Sequence, residues 1–192
     1  IQGDCMSSHA TARITAQEYL ALERQAPYKS EYFQGEIFAM SGASRRHNLI
    51  SGDVFGAFLS KVAPPCQVFS SDMRVHVKES LSERFYYPDI HVSCSDLDNN
   101  EQFSSQPVLV IEVASESTAA YDRREKFEGY RLLSSLQEYI LVQQTEPRVE
   151  VFRKRTGWQP ETFGPADEIA LESVGLKVSV ADFYRRVTFG GG

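Results

Sequence analysis

The chain has 192 residues, of which 42% are hydrophobic and 24% charged, and it carries a net charge of −6. These values fit one globular domain with an adequate core. No apolar run approaches the roughly 20 residues that span a bilayer, so we expect no membrane partner. The acidic balance counts against indiscriminate binding to nucleic acid, although an enzyme that meets DNA at one groove can still be acidic overall.

The two ends of the chain and its cysteines predict a cytoplasmic protein. Residues 1–14 lack the hydrophobic region of a signal peptide, so we expect no export and treat them as an N-terminal extension. One domain is predicted over residues 15–187, and residues 188–192 are predicted to form a frayed tail. Cys5, Cys66 and Cys94 are scattered without C-x-x-C spacing, which favours reduced thiols over zinc ligands or a disulfide.

A helix and a hairpin are predicted at the start of the domain. Residues 15–18 (TAQE) form a capping-box pattern, and the helix that follows is expected to run to Ala26 and to be stopped by Pro27. Two aromatic-rich runs then flank Gln34-Gly35, which predicts a β-hairpin. Glu36 comes directly after this turn, where a carboxylate is usually just exposed.

The next apolar stripe predicts a helix over residues 46–62. Gly52 and Gly56 weaken this helix, and we expect them to allow close packing. His47 lies near its start. It is a candidate phosphate or metal contact, although a hydrogen-bonded surface histidine is the commoner case.

Two strand regions follow. Residues 66–78 alternate as a strand or hairpin, and residues 79–84 read as a polar loop. Residues 87–94 predict a strand whose alternation puts Asp89, His91 and Ser93 on one face and Ile90, Val92 and Cys94 on the other.

The stretch from Val108 to Tyr130 is the most informative part of the chain. Its first six residues are almost continuously apolar, which predicts a central strand covered on both faces. Glu112 interrupts this pattern, and a buried carboxylate needs a cation, a set of hydrogen bonds or the open end of the sheet. A helix capped by residues 117–118 and running to about Leu133 is predicted to bring Lys126 back towards that end. An ordinary surface salt bridge between Asp122 and Lys126 is the alternative.

The rest of the chain predicts short strands over residues 138–144, 148–154, 157–163 and 168–180, with a last helical turn from Val180. The predicted fold class is therefore α/β (α+β), with a mixed central β-sheet flanked by helices and an antiparallel C-terminal β extension.

The residues also carry a family resemblance from about Thr15 to Phe183. The chain resembles the Uma2/DUF820 group of predicted endonucleases, within the PD-(D/E)XK restriction-endonuclease-like superfamily. The matching segments are EYFQGEIFAMSGAS followed by His47, SDMRV, YYPDIHV, VLVIEVASESTAAYDRREKFEGYR and SLQEYILVQQ.

The resemblance implies a restriction-endonuclease-like core and metal-assisted hydrolysis of phosphodiester bonds in DNA. Asp89, Glu112 and the backbone carbonyl of Val113 would hold Mg²⁺ or Mn²⁺. The superfamily's lysine normally lies two residues after the second acid, where this chain has Ala114, and the pattern implies Lys126 in its place. The site implied is completed by an early acid, Glu36, and by Tyr130, which would support Lys126. His47 and His91 are accessory candidates; His91 is outside the family pattern and is included because it shares a face with Asp89.

Three functions remain open at this point. The first is a Mg²⁺-dependent endodeoxyribonuclease that acts as a homodimer. The second is a DNA-binding module with a degenerate site, which Ala114 in the lysine's usual place favours. The third is a self-associating protein on a nuclease scaffold, which the acidic net charge favours.

Overall fold

The computed structural model describes residues 13–40, 42–80, 82–115 and 119–190 of the chain. Short helices and turns lie between its strands. The helical segments are α1 (Ala16–Glu23), α2 (Arg45–Leu59), α3 (Ala119–Tyr121), a π-helical turn (Asp122–Lys126), α4 (Phe127–Tyr130), two 3-10 turns (Lys154–Thr156 and Glu172–Val174) and α5 (Val180–Phe183).

The strands form three sheets. They are β1 (Ser30–Phe33), β2 (Glu36–Ala39), β3 (Gln67–Ser70), β4 (Arg74–Glu79), β5 (Ser82–Tyr86), β6 (Ile90–Ser93), β7 (Phe103–Ser104), β8 (Pro107–Ala114), β9 (Glu138–Gln143), β10 (Val149–Arg153), β11 (Pro160–Phe163), β12 (Glu168–Leu171) and β13 (Leu176–Ser179).

The central sheet has six strands in the order β11-β10-β9-β8-β6-β3. It is mixed, because β8 and β9 run parallel while its other neighbouring strands are antiparallel. A second sheet has five strands in the order β2-β1-β5-β4-β7, and β12 pairs with β13. The predicted mixed α/β architecture and the antiparallel C-terminal extension are confirmed.

Apolar side chains cover both faces of the central strand β8. Leu109, Ile111 and Val113 pack in the core that includes α2 and α5. Val110 belongs to a second apolar cluster, which contains Tyr130 of α4 and other aromatic side chains. A strand with two covered faces has no solvent side on which to alternate, which is why β8 is apolar at almost every position. Glu112 is therefore the exception that the strand must accommodate.

The predicted helix start and hairpin are confirmed. Thr15 caps α1 with both hydrogen bonds of a capping box, although the helix ends at Glu23 rather than at Ala26. Gln34 and Gly35 have φ angles of 49° and 94°. These positive values are those of the tight turns that join antiparallel strands, and Gln34-Gly35 joins β1 to β2.

Three predictions about the middle of the chain are wrong. The segments β3 and β4 do not form a hairpin, because β3 joins the central sheet and β4 pairs with β5 in the second sheet. Residues 82–84 are part of strand β5 rather than of a polar loop. A methyl group added at Gly52 or Gly56 would meet no atom within 4 Å, so these glycines face open space and allow no close packing.

Two of the cysteines are joined. Cys66 and Cys94 form a disulfide, with sulfur atoms 2.02 Å apart, so the prediction that they are isolated thiols is wrong. The residues are 28 positions apart in the chain and meet because β3 and β6 are neighbours in the central sheet. The cytoplasmic location stays a prediction that these two cysteines no longer support.

The ends of the fold extend slightly past the predicted limits of 15–187. Ile14 donates a backbone hydrogen bond to Gly35 at 3.1 Å, and the Phe189 ring lies 5.4 Å from the ring of Tyr184. The predicted cap at residues 117–118, and Cys5, lie outside the described residues. None of the helices in the described ranges has the length and apolar content needed to cross a bilayer.

Candidate active site

The two predicted carboxylates lie opposite each other where the β6–β8 ladder ends. Ile90 pairs with Ile111, and continuing this antiparallel register by one residue sets Asp89 against Glu112. Residues opposite each other in a ladder project from the same face of the sheet. The backbone N–H of Val113 donates to Asp89 Oδ2 at 2.8 Å, and the N–H of Asp89 donates to Glu112 Oε2 at 3.3 Å. These two bonds fix both carboxylates at one place.

Lys126 reaches the same place from the helical segment after β8. Its Nζ lies 3.2 Å from Glu112 Oε1, 2.9 Å from Glu31 Oε1 and 3.9 Å from Asp122 Oδ1. Lys126 ends the π-helical turn, a wider turn than that of an α-helix and one that is often found at functional sites. The predicted continuous helix is thus interrupted at the residue that contacts the strand end.

The acid supplied by the hairpin is Glu31 and not the predicted Glu36. Glu31 is 6% exposed on β1 and binds Lys126, whereas Glu36 lies on the fully exposed strand β2. In the β1–β2 ladder Phe38 is opposite Glu31, and Glu36 is opposite Phe33 at the turn. Both acids therefore project from one face, but Glu36 lies two residue pairs further along the ladder from the cluster, towards the turn.

The alternation of apolar and polar residues could not distinguish these two acids, because both project from the same face of the hairpin. What distinguishes them is their distance from the turn. Glu31 is flanked by the buried residues Ser30 and Tyr32, whereas Glu36 adjoins a turn. Two further groups hold Glu31 in place, since the N–H of Tyr87 donates to its Oε1 at 3.2 Å and the hydroxyl of Tyr121 donates to its Oε2 at 3.3 Å.

The accessory candidates have different surroundings. Tyr130 donates its hydroxyl to Glu112 Oε1 at 3.1 Å, and His47 Nε2 lies 3.2 Å from Asp89 Oδ2. His91 is fully buried, stacks on Phe69 with ring centroids 4.9 Å apart and does not line the site. Neither of its ring nitrogens has a hydrogen-bond partner among the described residues. Tyr130 and His47 thus join the cluster, and His91 does not.

Burial and crowding of charge control ionisation in this cluster. Burial raises the pKa of Glu112 well above its usual value; the neighbouring carboxylates raise it further, and Lys126 opposes them. Burial alone would lower the pKa of Lys126, but Glu112, Glu31 and Asp122 outweigh it and hold that pKa well above its usual value. For His47, burial is likewise outweighed by Asp89, so its pKa is raised. Lys126 therefore keeps its proton at neutral pH and cannot serve as a base.

The cluster lies in the wall of an open cavity of about 1180 Å³. The described lining is acidic, with seven carboxyl groups against four basic side chains. The acids are Glu31, Glu79, Asp89, Glu112, Asp122, Glu125 and Glu128, and the bases are Lys29, Arg84, Lys126 and His47. An anionic ligand would meet net repulsion here unless a further cation entered with it.

The donor groups fit a magnesium-type ion better than a zinc-type one. Among the described residues, no three His, Cys, Asp or Glu side chains are grouped so that they could hold a metal ion by themselves. Mg²⁺ usually takes one or two protein carboxylates and fills its remaining positions with water or phosphate. Asp89 and Glu112 supply two such carboxylates, and the crowding of negative charge around them favours a divalent cation.

Comparison with known proteins gives the family. The sequence pattern of the Uma2 family, described as "Putative restriction endonuclease", matches residues 16–181. The chain belongs to the Uma2 family. The matched range includes every residue of the cluster, from Glu31 to Tyr130.

Two proteins and one solved structure are similar to this chain. Two proteins of Synechocystis sp. (strain ATCC 27184 / PCC 6803 / Kazusa) are similar. The uncharacterized protein slr1290 is 33% identical over 181 residues, which cover 92% of this chain and 94% of that protein. The uncharacterized protein sll1609 is 40% identical over 155 residues, covering 76% and 84%. The fold is similar to the crystal structure of "a putative nuclease belonging to DUF820" from Anabaena variabilis, with a TM-score of 0.68, 21% identity and coverage of 86% of this chain and 97% of that one.

Proposed function

We propose that this Uma2 protein is a metal-dependent endonuclease that hydrolyses phosphodiester bonds in DNA. The observation that carries the proposal is the convergence of Lys126 on Glu112, beside Asp89, at the wall of an open cavity. A buried ammonium beside two strand-end carboxylates has no evident use in stabilising a sheet. It suits a reaction in which negative charge develops on a phosphate.

Asp89, Glu112 and the backbone carbonyl of Val113 would hold Mg²⁺ or Mn²⁺. Both side chains line the cavity, and the N–H of Val113 already contacts Asp89. When bound, such an ion supplies Lewis acidity to the phosphate and lowers the pKa of water that it contacts.

The remaining side chains of the cluster would stabilise charge on the phosphate and orient the carboxylates. Lys126 keeps its proton, so its ammonium would attract the phosphate and donate a hydrogen bond to an oxygen that gains charge. Glu31 would hold that ammonium on the side away from Glu112. Tyr130 would fix the orientation of the Glu112 carboxylate, and His47 that of Asp89.

The direct test is plasmid nicking by the purified protein with Mg²⁺, with Mn²⁺ and with EDTA. We expect nicking with either ion and none with EDTA. Asp89→Asn and Lys126→Met should abolish it, because each removes the charge but keeps most of the side-chain volume. Since Lys126→Met also leaves buried carboxylates unpaired, circular dichroism must show that each variant is folded.

Asp96→Asn is the matched control, because its side chain is exposed and lies outside the cavity lining. Nicking by this variant should equal that of the wild type. A folded wild-type protein that binds DNA without cutting it under any divalent ion would instead support the DNA-binding module, and a stable oligomer without affinity for DNA would support the self-associating protein. The homodimer, with one subunit for each strand of a duplex, stays a prediction.

A further inference from the structure

Three aromatic rings in the lining of the active-site cavity are exposed. Tyr28, Phe33 and Phe38 are 64%, 37% and 47% exposed. Large aromatic side chains are normally buried, since each contributes substantially to a core. Three exposed rings in the lining of one cavity therefore need an explanation beyond packing.

The rings are held next to the proposed catalytic groups by the register of the hairpin. Phe38 lies opposite Glu31, the residue that binds Lys126, and Phe33 lies two residues further along the same face of β1. Side chains opposite each other in such a ladder have Cβ atoms about 4.5–5.5 Å apart. A ligand stacked on Phe38 would thus lie beside the cluster.

A cationic side chain lies beside one of the three aromatic rings. Arg84 is the register partner of Phe33 on β5, and its guanidinium lies 4.8 Å from the centre of the Phe33 ring. Stacking holds the charge of Arg84 at the cavity wall, within reach of a phosphate attached to a stacked base.

The charge of the cavity selects between forms of nucleic acid. A duplex presents two rows of phosphates, and binding it needs several basic contacts. The described lining offers four basic side chains, His47 included, against seven acids, so electrostatic attraction cannot supply most of the affinity. Stacking of bases on aromatic rings is sequence-tolerant and adds to whatever affinity the charged groups supply, but only unpaired bases can stack in this way.

We propose that the cavity takes a single-stranded or locally unpaired segment of DNA, with its bases stacked on Tyr28, Phe33 and Phe38. This inference rests on the proposed nuclease function and names its substrate class. The three rings bind bases next to the scissile phosphate, and Arg84 contacts the backbone between them. Double-stranded DNA enters only where its strands have separated.

The test measures binding of a fluorescent oligothymidine and of a duplex of equal length with Ca²⁺ present, so that a divalent cation offsets the acidic lining. A gel of the recovered DNA checks that none was cleaved during the measurement. The wild-type protein should prefer the oligothymidine. Tyr28→Leu and Phe38→Leu keep an apolar side chain but lose the ring, and each should weaken that binding about 5- to 100-fold. Leu22→Ala and Leu97→Ala are matched controls, since those side chains are 55% and 78% exposed and lie outside the cavity lining. Their binding should equal that of the wild type.

Three results would overturn the inference. They are a preference of the wild type for the duplex, unchanged binding in both Tyr28→Leu and Phe38→Leu, or equal losses of binding in the two alanine controls. Sedimentation of the same variants tests the alternative that a second copy of the chain, and not DNA, packs on the three rings. If Phe38→Leu dissociates an oligomer and leaves binding unchanged, the rings form an interface between copies and the inference fails. Plasmid nicking is scored separately, so a nuclease that prefers duplex DNA would refute this inference alone, whereas a protein that binds single strands but never cuts would refute the proposed function alone.

Discussion

At the scale of single residues, Lys126 brings an ammonium to the end of β8 from the helical segment that follows it. Ala114 lies two residues after Glu112, where the resemblance would place a lysine, yet the ammonium of Lys126 lies 3.2 Å from Glu112. Lys126 is 6% exposed and contacts three carboxylates, so its charge is compensated and its orientation is fixed. An ion pair buried in this way contributes little net stability against its desolvation cost. Its position is better explained by chemistry than by folding.

Glu31 and Glu36 offer a matched pair of substitutions on one hairpin. Glu31→Gln should lower the nicking rate about 10- to 100-fold, because the amide holds Lys126 less firmly than a carboxylate does. Glu36→Gln should leave the rate unchanged, since Glu36 lies on exposed β2. Initial rates of plasmid nicking at saturating Mg²⁺ measure both. A larger loss in Glu36→Gln than in Glu31→Gln would contradict the assignment of Glu31.

His91 should make the fold sensitive to acid. Burial lowers the pKa of His91 to about 3, so the folded protein keeps this ring neutral while the unfolded chain protonates it below about pH 6.5. Because the unfolded chain then binds the extra proton, stability falls as the pH falls through this window. From pH 7 to pH 4.5 we expect His91 to reduce the free energy of unfolding by about 2–3 kcal/mol.

Urea denaturation of the wild type and of His91→Leu at both pH values measures this effect. The other titrating groups are common to the two proteins, so the difference between the two pH-dependent losses isolates His91. The variant should lose about 2–3 kcal/mol less of its free energy of unfolding than the wild type between pH 7 and pH 4.5. Equal losses would mean that the ring is already protonated, or hydrated, in the folded state.

At the scale of elements, α4 is held close to β5 by a glycine. A methyl group added at Gly129 would lie 2.5 Å from the hydroxyl oxygen and 2.9 Å from a ring carbon of Tyr86, which itself packs against Tyr130. Only glycine allows this approach. The approach matters because the segment that it positions also carries Lys126.

Gly129→Ala should therefore destabilise the protein by about 1–3 kcal/mol and reduce nicking, because Tyr86 or α4 must move. Gly52→Ala is the matched control in α2, where the added methyl group meets open space. It should stabilise the protein by up to about 1 kcal/mol, since alanine is the better helix former, without changing nicking. Thermal unfolding and nicking rates of both variants test this. Destabilisation by both to the same extent would argue against the contact with Tyr86.

The elements that could be predicted from the sequence are those with strong local signals. Thr15 and Glu18 predict a capping box, and Gln34-Gly35 predicts a turn. The apolar run that reaches Glu112 predicts a strand covered on both faces. The pairing of β3 and β4 could not be predicted in this way, because the two strands join different sheets and the choice depends on distant partners. The choice of Glu31 over Glu36 likewise depended on tertiary contacts with Lys126.

At the scale of the whole molecule, the Cys66–Cys94 disulfide links the segment before β3 to the end of β6. A cross-link stabilises chiefly by restricting the unfolded chain, and a loop of this length is expected to contribute about 2–4 kcal/mol. The double substitution Cys66→Ser and Cys94→Ser should therefore lower the free energy of unfolding by that amount, as measured by urea denaturation. Dithiothreitol should destabilise the wild type similarly and leave the double variant unaffected. Insensitivity of the wild type to dithiothreitol would mean that the thiols are reduced in the purified protein.

The cluster is assembled from both large sheets, with Glu31 from one, Glu112 from the other and Lys126 from the segment that follows. These residues lie far apart in the chain, so a ribosome makes Glu31 and Glu112 before it makes Lys126. A translation product that ends between Glu112 and Lys126 carries the acids without the ammonium. On the proposed function, such a fragment cannot cut the genome of the cell that makes it.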